Sequence, residues 1–224
     1  MTRSILVLAA AVGLTGALAG QGCKQTGVGD PCIPEQEYDQ TFPGFDQNEV
    51  SIESKSFQCQ TRLCLVNHFQ GRVSCVYGQD QSGNPPPAPP GKQAAAPGQV
   101  GGSCTVPGNP AQAITGSMDP TNKAGATVQP QCVNRTADQT VYCSCRCANI
   151  DGKTDDGSNY CTCPDGYACT QLVTSIGTNF NEGLTGAYCV LNKTQFDRAN
   201  PCTTNCDPTA QACEASSKPY GQPD

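Results

Sequence analysis

Apolar residues along this chain fall into one long run near the start and a scatter of short ones after it. The long run is Ile5 to Ala19, "ILVLAAAVGLTGALA", preceded by the single positive charge of Arg3. A basic start followed by an apolar stretch of this length is the pattern of an export signal. The run is too short, and too interrupted by Gly13, Thr15 and Gly16, to span a bilayer as a helix. The reading predicts a signal peptide over 1–22 and an exported chain with no later membrane span. Further on, "RLCLVNHFQGRVSCVY" predicts a β-hairpin. Two β-rich runs flank Gln70-Gly71, and glycine supplies the positive φ that a two-residue turn wants. With that turn, Val66 faces Cys75 and Cys64 sits diagonally on the same face. A second hairpin is predicted around "CTCPDGYACTQLV", turning at Asp165-Gly166.

Periodicity disappears between Gly78 and Gly102, "GQDQSGNPPPAPPGKQAAAPGQVGG". A proline run of this kind adopts extended polyproline II and acts as a semi-rigid spacer. The expected plan is a signal peptide (1–22), a short tether (23–27), a four-cysteine domain (28–77), a disordered linker (78–102), a twelve-cysteine domain (103–214) and a disordered tail (215–224). The two domains share an outline. "GVGDPCIP" and "QVGGSCTVPG" open them on Cys32 and Cys104, and "GRVSCVY" and "GAYCVL" close the matching stretches on Cys75 and Cys189. A distant repeat is one reading of that outline, and chance likeness between Gly/Cys-rich segments is the other.

Composition changes the picture by weakening the apolar core. There is no Trp, and the chain carries six Phe and seven Tyr against 24 Gly and 18 Pro. Glycine raises the entropy that folding must overcome, so burial alone is insufficient and covalent staples are needed. The 17 cysteines supply them. Each disulfide typically stabilises by roughly 2–4 kcal/mol, and such density belongs to oxidising compartments. The fold expected is therefore small and disulfide-rich, mostly irregular with short β-hairpins, in two cysteine-rich domains joined by the Pro-rich linker.

Seventeen is odd, so one cysteine stands outside any pairing scheme. Removing Cys23 leaves four before the linker (Cys32, Cys59, Cys64, Cys75) and twelve after it (Cys104, Cys132, Cys143, Cys145, Cys147, Cys161, Cys163, Cys169, Cys189, Cys202, Cys206, Cys213). Both sets are even, so each domain is expected to close its own bridges. Connectivity stays open, since four cysteines alone allow three pairings. "GQGC" at Cys23 resembles the lipobox of bacterial lipoproteins, with Gly22 at the position before the cysteine and Gly20 departing from the usual aliphatic residue. With the cysteine-rich plan, the chain resembles exported cysteine-rich lipoproteins of Gram-negative bacteria. That resemblance implies lipid on Cys23, and Lys24 beside it implies sorting to an outer membrane or the cell surface. The alternative is ordinary cleavage after Ala19, at Ala17-Leu18-Ala19, giving a periplasmic or secreted factor or inhibitor.

Candidate chemistry is sparse. "YCSCRCAN" alternates Cys143, Cys145 and Cys147, and thiolates at that density could bind zinc or copper(I). An oxidising compartment removes free thiolates, so disulfides to three different partners are expected instead, with no metal or cofactor. A metal-binding protein is the rival reading. "CTCPDGYAC" resembles the closing half of an epidermal-growth-factor-like module over nine residues, but Cys169 follows Tyr167 too soon and calcium binding is not carried over. "DGKTDDG", Asp151 to Gly157, reads as a solvated turn. His68, the sole histidine, lacks a recognisable nucleophile motif nearby, so no catalytic residue is expected and the chain is read as non-enzymatic. Asn134-Arg135-Thr136 and Asn192-Lys193-Thr194 fit the glycosylation sequon, which has meaning only in a eukaryote. Without residues 1–22 the chain keeps 12 basic and 19 acidic side chains, net −7. That balance argues against nucleic acid, which needs clustered cations. The partners expected are the membrane, through the anchor, and a protein or glycan of unknown identity.

Overall fold

The computed structural model describes residues 27–87, 103–114, 126–173, 184–210 and 212–213. The expected signal peptide, Cys23, most of the expected Pro-rich linker and the expected tail lie outside them. The described elements are one 3-10 turn, Glu35–Tyr38, one α-helical turn, α1 (Ala137–Thr140), and eight short strands. These are β1 (Val50–Glu53), β2 (Cys64–Asn67), β3 (Thr105–Val106), β4 (Asn109–Ala113), β5 (Val141–Cys143), β6 (Arg146–Ala148), β7 (Tyr167–Val173) and β8 (Gly186–Leu191). A disulfide-rich fold of small antiparallel sheets, largely irregular, is what the composition dictates.

Two three-stranded sheets carry the architecture, ordered β1-β2-β5 and β6-β8-β7, with β3-β4 forming a separate two-stranded ribbon. Alternation within the strands explains how the two sheets stack. On β2 and β5, Leu65 pairs with Tyr142, so both point to one face, while Cys64 pairs with Cys143 and Val66 with Val141 on the other. On β8, Tyr188 and Val190 share one face and Ala187 and Cys189 the opposite one. Leu65, Tyr142, Tyr188 and Val190 meet Leu63 in a single apolar layer, so the sheets are packed on each other. The outer face of the first sheet packs with Cys32, Cys59, Phe45, Phe69 and Val73. The outer face of the second is covered by cysteine, with Cys145, Cys147 and Cys189 beside half-buried Cys161 and Cys163.

The chain passes from one sheet to the other over Ser144-Cys145, and polar groups fix that step. The Ser144 backbone N–H donates to the Leu63 carbonyl at 3.0 Å, and its hydroxyl donates to the Cys189 carbonyl at 2.8 Å. The Tyr142 hydroxyl accepts the Leu191 backbone N–H at 2.9 Å. Burial pushes the Tyr142 phenol up to about 12, so it stays protonated at any physiological pH.

Cysteines 32 to 213 are all paired: Cys32–Cys64, Cys59–Cys143, Cys75–Cys104, Cys132–Cys202, Cys145–Cys161, Cys147–Cys169, Cys163–Cys189 and Cys206–Cys213. Cys143, Cys145 and Cys147 reach three different partners, as expected, from β5, the step after it and β6. The expectation that the four-cysteine and twelve-cysteine sets close separately is corrected: Cys59–Cys143 and Cys75–Cys104 cross between them. Even counts on both sides are equally compatible with an even number of crossing bridges, and the pairing of β2 with β5 brings the two stretches together. The bridge pattern does not repeat either, since Cys32 joins Cys64 whereas Cys104 joins Cys75.

The linker's first residues also belong to the folded body. Gln79 is buried and exchanges two backbone hydrogen bonds with Val128, both at 3.0 Å. Its side-chain amide donates to the carbonyls of Ile114 and Ala126 and accepts the Cys104 backbone N–H. Gly78 beside it has φ +70, and a Cβ there would collide with the Val128 carbonyl.

Neither expected hairpin forms as drawn. β2 pairs with β1 and β5, not with the 72–77 stretch, and ends where His68 takes a left-handed φ of 51. Gly71, at φ +87, is where any Cβ would collide with the Gln129 carbonyl, and it does not make a two-residue turn. A turn does occur at Asp165-Gly166, closed by the Tyr167 N–H on the Pro164 carbonyl, but it leads into β7, which pairs with β8.

A buried ion pair locks the 72–75 turn. Arg72 and Glu37 are both fully buried, Nε to Oε2 at 3.8 Å. Arg72 donates to the carbonyls of Glu37, Asp39 and Phe42, capping the end of the 3-10 turn. The Glu37 carboxylate accepts the backbone N–H groups of Val73 and Ser74 and the Ser74 hydroxyl. Burial pushes the Glu37 carboxyl up, against the pull of Arg72 and these donors.

Two outcomes follow for this architecture. Cutting the backbone at a protease site placed within residues 88–102 is expected to leave two fragments that co-migrate until reduced, as read by electrophoresis with and without reductant. Arg72→Met, which strands the Glu37 carboxylate in a dry site, is expected to cost about 3–5 kcal/mol in denaturant titration, more than the double variant that also carries Glu37→Gln.

Candidate functional site

The segment nearest Cys23 is the first place to look. Gly27 and Asp30 begin the described chain, and residues 29–31 lie against the outer edge of β5. The Gly29 N–H donates to the Cys143 carbonyl and the Cys143 N–H to the Asp30 carbonyl, each at 2.8 Å. Pro31 bridges Tyr142, and Cys32, wholly buried, is bonded to Cys64. Val28 packs against the cysteine-covered face of the second sheet. The folded body therefore starts within a few residues of Cys23, although Cys23 itself is outside the described residues.

Next along the chain stands an exposed aromatic on a rigid loop. Phe57 is 85% exposed, with the Arg62 guanidinium 4.3 Å above its ring. The loop joins β1 to β2 and is closed at its base by the Ser56 N–H on the Arg62 carbonyl. Arg62 reaches this turn through a left-handed φ of 62. The Gln58 amide bonds Ile33 in both directions, accepting its N–H at 3.0 Å and donating to its carbonyl at 2.7 Å. Cys59–Cys143 and Cys32–Cys64 then pin the loop and the neighbouring 31–33 segment to the outer face of the first sheet. An aromatic held over an arginine on a disulfide-braced loop has little entropy left to lose on contact, which suits recognition.

His68 sits in an aromatic stack. Its ring lies parallel to Phe196, centroids 3.9 Å apart, and Nδ1 is 3.0 Å from the Gln47 carbonyl. Arg135 lies 5.4 Å over the same Phe196 ring. This buried arginine donates to the carbonyls of His68, Asn67 and Thr194 at 2.7, 2.6 and 2.9 Å. It thereby ties the end of β2 to the chain after β8. Burial pushes the His68 imidazole below its ordinary value, and the charges of Arg135 and Arg198 add to the effect.

The Asp151–Gly157 stretch is exposed throughout. Asn149 caps it by accepting the N–H groups of Asp151 and Lys153, and Asp156 accepts the Tyr160 hydroxyl at 2.5 Å. That hydroxyl, with the Ser158 N–H, holds the Asp156 carboxyl down at about 2. These side chains are turned to the loop's own closure. In the sequons, Asn134 accepts the Thr203 N–H and Thr136 caps α1, while Thr194 donates to the Leu191 carbonyl. Among the described residues no helix is long and apolar enough to cross a membrane.

Sequence reasoning missed Phe57, Gln79 and Arg135. Nothing in the local pattern marks Phe57 as exposed, because an aromatic near two cysteines reads as core. Comparison with known proteins adds no name: no family model matches the chain, and neither a curated protein nor a solved structure does.

His68 generates a pH dependence. Its folded-state value lies below the unfolded 6.5, so the unfolded chain binds the extra proton first. Stability is expected to be full above about pH 7 and to fall as the pH drops through the unfolded value toward the folded one. His68→Asn keeps a residue that tolerates positive φ, and is expected to flatten that slope in urea titrations across the same range.

Proposed function

We propose that this chain is a non-enzymatic lipoprotein of the cell envelope, anchored through lipid on Cys23 and acting by recognition at the membrane surface. The observation that carries the reading is the attachment of residues 29–32 to β5. With Gly27 already at the body, the tether from Cys23 is four residues, about 14 Å at full extension. A lipid there would hold the disulfide-braced body flush with the headgroups, not on a stalk. The parity of the cysteines supports it as well, since sixteen of the seventeen are paired with one another, which leaves Cys23 over by count. Eight bridges belong to an oxidising compartment, in keeping with an exported location, and the outer membrane or cell surface is the assignment proposed. Acyl chains contribute about 0.8 kcal/mol per buried CH₂, enough with two or three chains for stable anchoring.

The surface offered to a partner, protein or glycan, is the braced Phe57–Arg62 loop. Truncating that ring removes contact area without touching the core.

Two measurements test the reading. Intact mass of the amino-terminal peptide from the native host is expected to give a peptide beginning at Cys23 with added acyl mass; an unmodified peptide beginning at Gly20 makes the protein a secreted factor instead. Phe57→Ala is expected to leave unfolding within about 0.5 kcal/mol of the parent, while abolishing capture of a surface partner in crosslinking on whole cells. Retained capture would move the recognition surface elsewhere.

A further inference from the structure

Three bridges converge on the outer face of the β6-β8-β7 sheet: Cys145–Cys161, Cys147–Cys169 and Cys163–Cys189. Cys189, wholly buried on the central strand, is where they touch. Its sulfur lies 3.7 Å from that of Cys145 and 3.6 Å from that of Cys161. It is thus in van der Waals contact with both atoms of a bridge to which it does not belong. The sulfurs of Cys147, Cys163 and Cys189 also lie within 4.8 Å of one another, which brings the third bridge against the second.

A similar gathering exists on the first sheet, where the sulfurs of Cys32, Cys59 and Cys143 lie within 4.8 Å. Those three residues are at most 3% exposed, so the gathering is sealed. The second-sheet cluster is open. Cys169 is an exposed residue on the edge strand β7, and Cys161 and Cys163 are half-buried.

Exchange between disulfides requires only a thiolate beside a disulfide sulfur and a way in for the first one. We propose that this cluster is a thiol–disulfide exchange relay, opened at Cys169 by a small-molecule thiolate. Attack on the Cys169 sulfur forms a mixed disulfide and breaks the bond to Cys147, which leaves as a thiolate. Cys147 then attacks Cys163; the Cys147–Cys163 bond forms, Cys163–Cys189 breaks, and the charge passes to Cys189. Cys189 attacks Cys161 across 3.6 Å, forming Cys161–Cys189 and releasing Cys145 as the final thiolate. Each step exchanges one S–S bond for another, so there is no net oxidation. One external thiolate is consumed and one protein thiolate remains. The relay moves a chemical event from the exposed edge strand to Cys145, at the step where the chain crosses between the sheets.

The test uses the folded chain and glutathione, quenched by alkylation in acid and mapped without reduction. Cleavage at Arg146, Lys153, Tyr167 and Tyr188 separates Cys145, Cys147, Cys169 and Cys189 from the Cys161–Cys163 peptide. The expected result is glutathione on Cys169, new Cys147–Cys163 and Cys161–Cys189 pairs and the alkyl label on Cys145, with Cys32–Cys64 and Cys59–Cys143 intact. Glutathione on Cys169 with the label stopped at Cys147 overturns the relay, as does opening of another bridge while this cluster stays native. The double variant C147A/C169A removes the way in and keeps both other bridges, so label on Cys145 is expected to be lost. Labelling at the parent rate in that variant overturns the proposal. Should the variant not fold, the map of the parent protein decides alone.

Discussion

The whole structure depends on one apolar layer, set by Leu65 and Tyr142 on one sheet and Tyr188 and Val190 on the other. Among the described residues, this is the apolar surface on which the two main sheets meet. Its members come from sequence positions far apart, so it forms only when the stretch before the Pro-rich segment meets the stretch after it. Everything outside this layer is subordinate to it. The Ser144 step and the Tyr142 hydroxyl on Leu191 keep the two sheets at the spacing this layer requires.

Outward from that layer, sulfur does what larger apolar side chains do elsewhere. The outer sheet faces are closed mainly by cystine, helped on the first sheet by Phe45, Phe69 and Val73. A chain without tryptophan and rich in glycine cannot build three apolar layers from ordinary residues, and cross-links supply both volume and chain restraint. Where side-chain burial is polar, it is organised around single residues that each answer several orphaned backbone groups: Arg72, Arg135 and Gln79. Arg135 has three carbonyl partners and no carboxylate, so its burial is offset by hydrogen bonds and the Phe196 ring.

Much of this was legible in the residues, and the part that was not has a physical reason. Cysteine density and the weak core identify a disulfide-rich fold of short strands because those are bulk properties, independent of which cysteine meets which. The divergence of Cys143, Cys145 and Cys147 to separate partners follows from their spacing. Partition at the proline run did not follow, because parity constrains the number of crossing bridges only to be even. The hairpin at Gln70-Gly71 failed for a similar reason. A glycine with positive φ marks a tight place in the backbone, but the sequence does not say whether the tightness is a turn or a neighbouring carbonyl. Long-range partners decide that, and they are the information a single sequence withholds. Phe57 escaped notice because proximity to cysteine argues for burial, whereas the bridges here hold its loop outward.

The bond from Cys75 to Cys104, with Gln79 tied across both ends, turns the Pro-rich stretch from a connector into a ring closed at its base. A connector's length sets how far two bodies stand apart; a closed ring's length sets nothing about the body beneath it. Doubling such a ring costs only about 0.6 kcal/mol, so insertion, deletion and wholesale change of residues between 87 and 103 leave the fold untouched. That makes it a segment free to vary in length and composition.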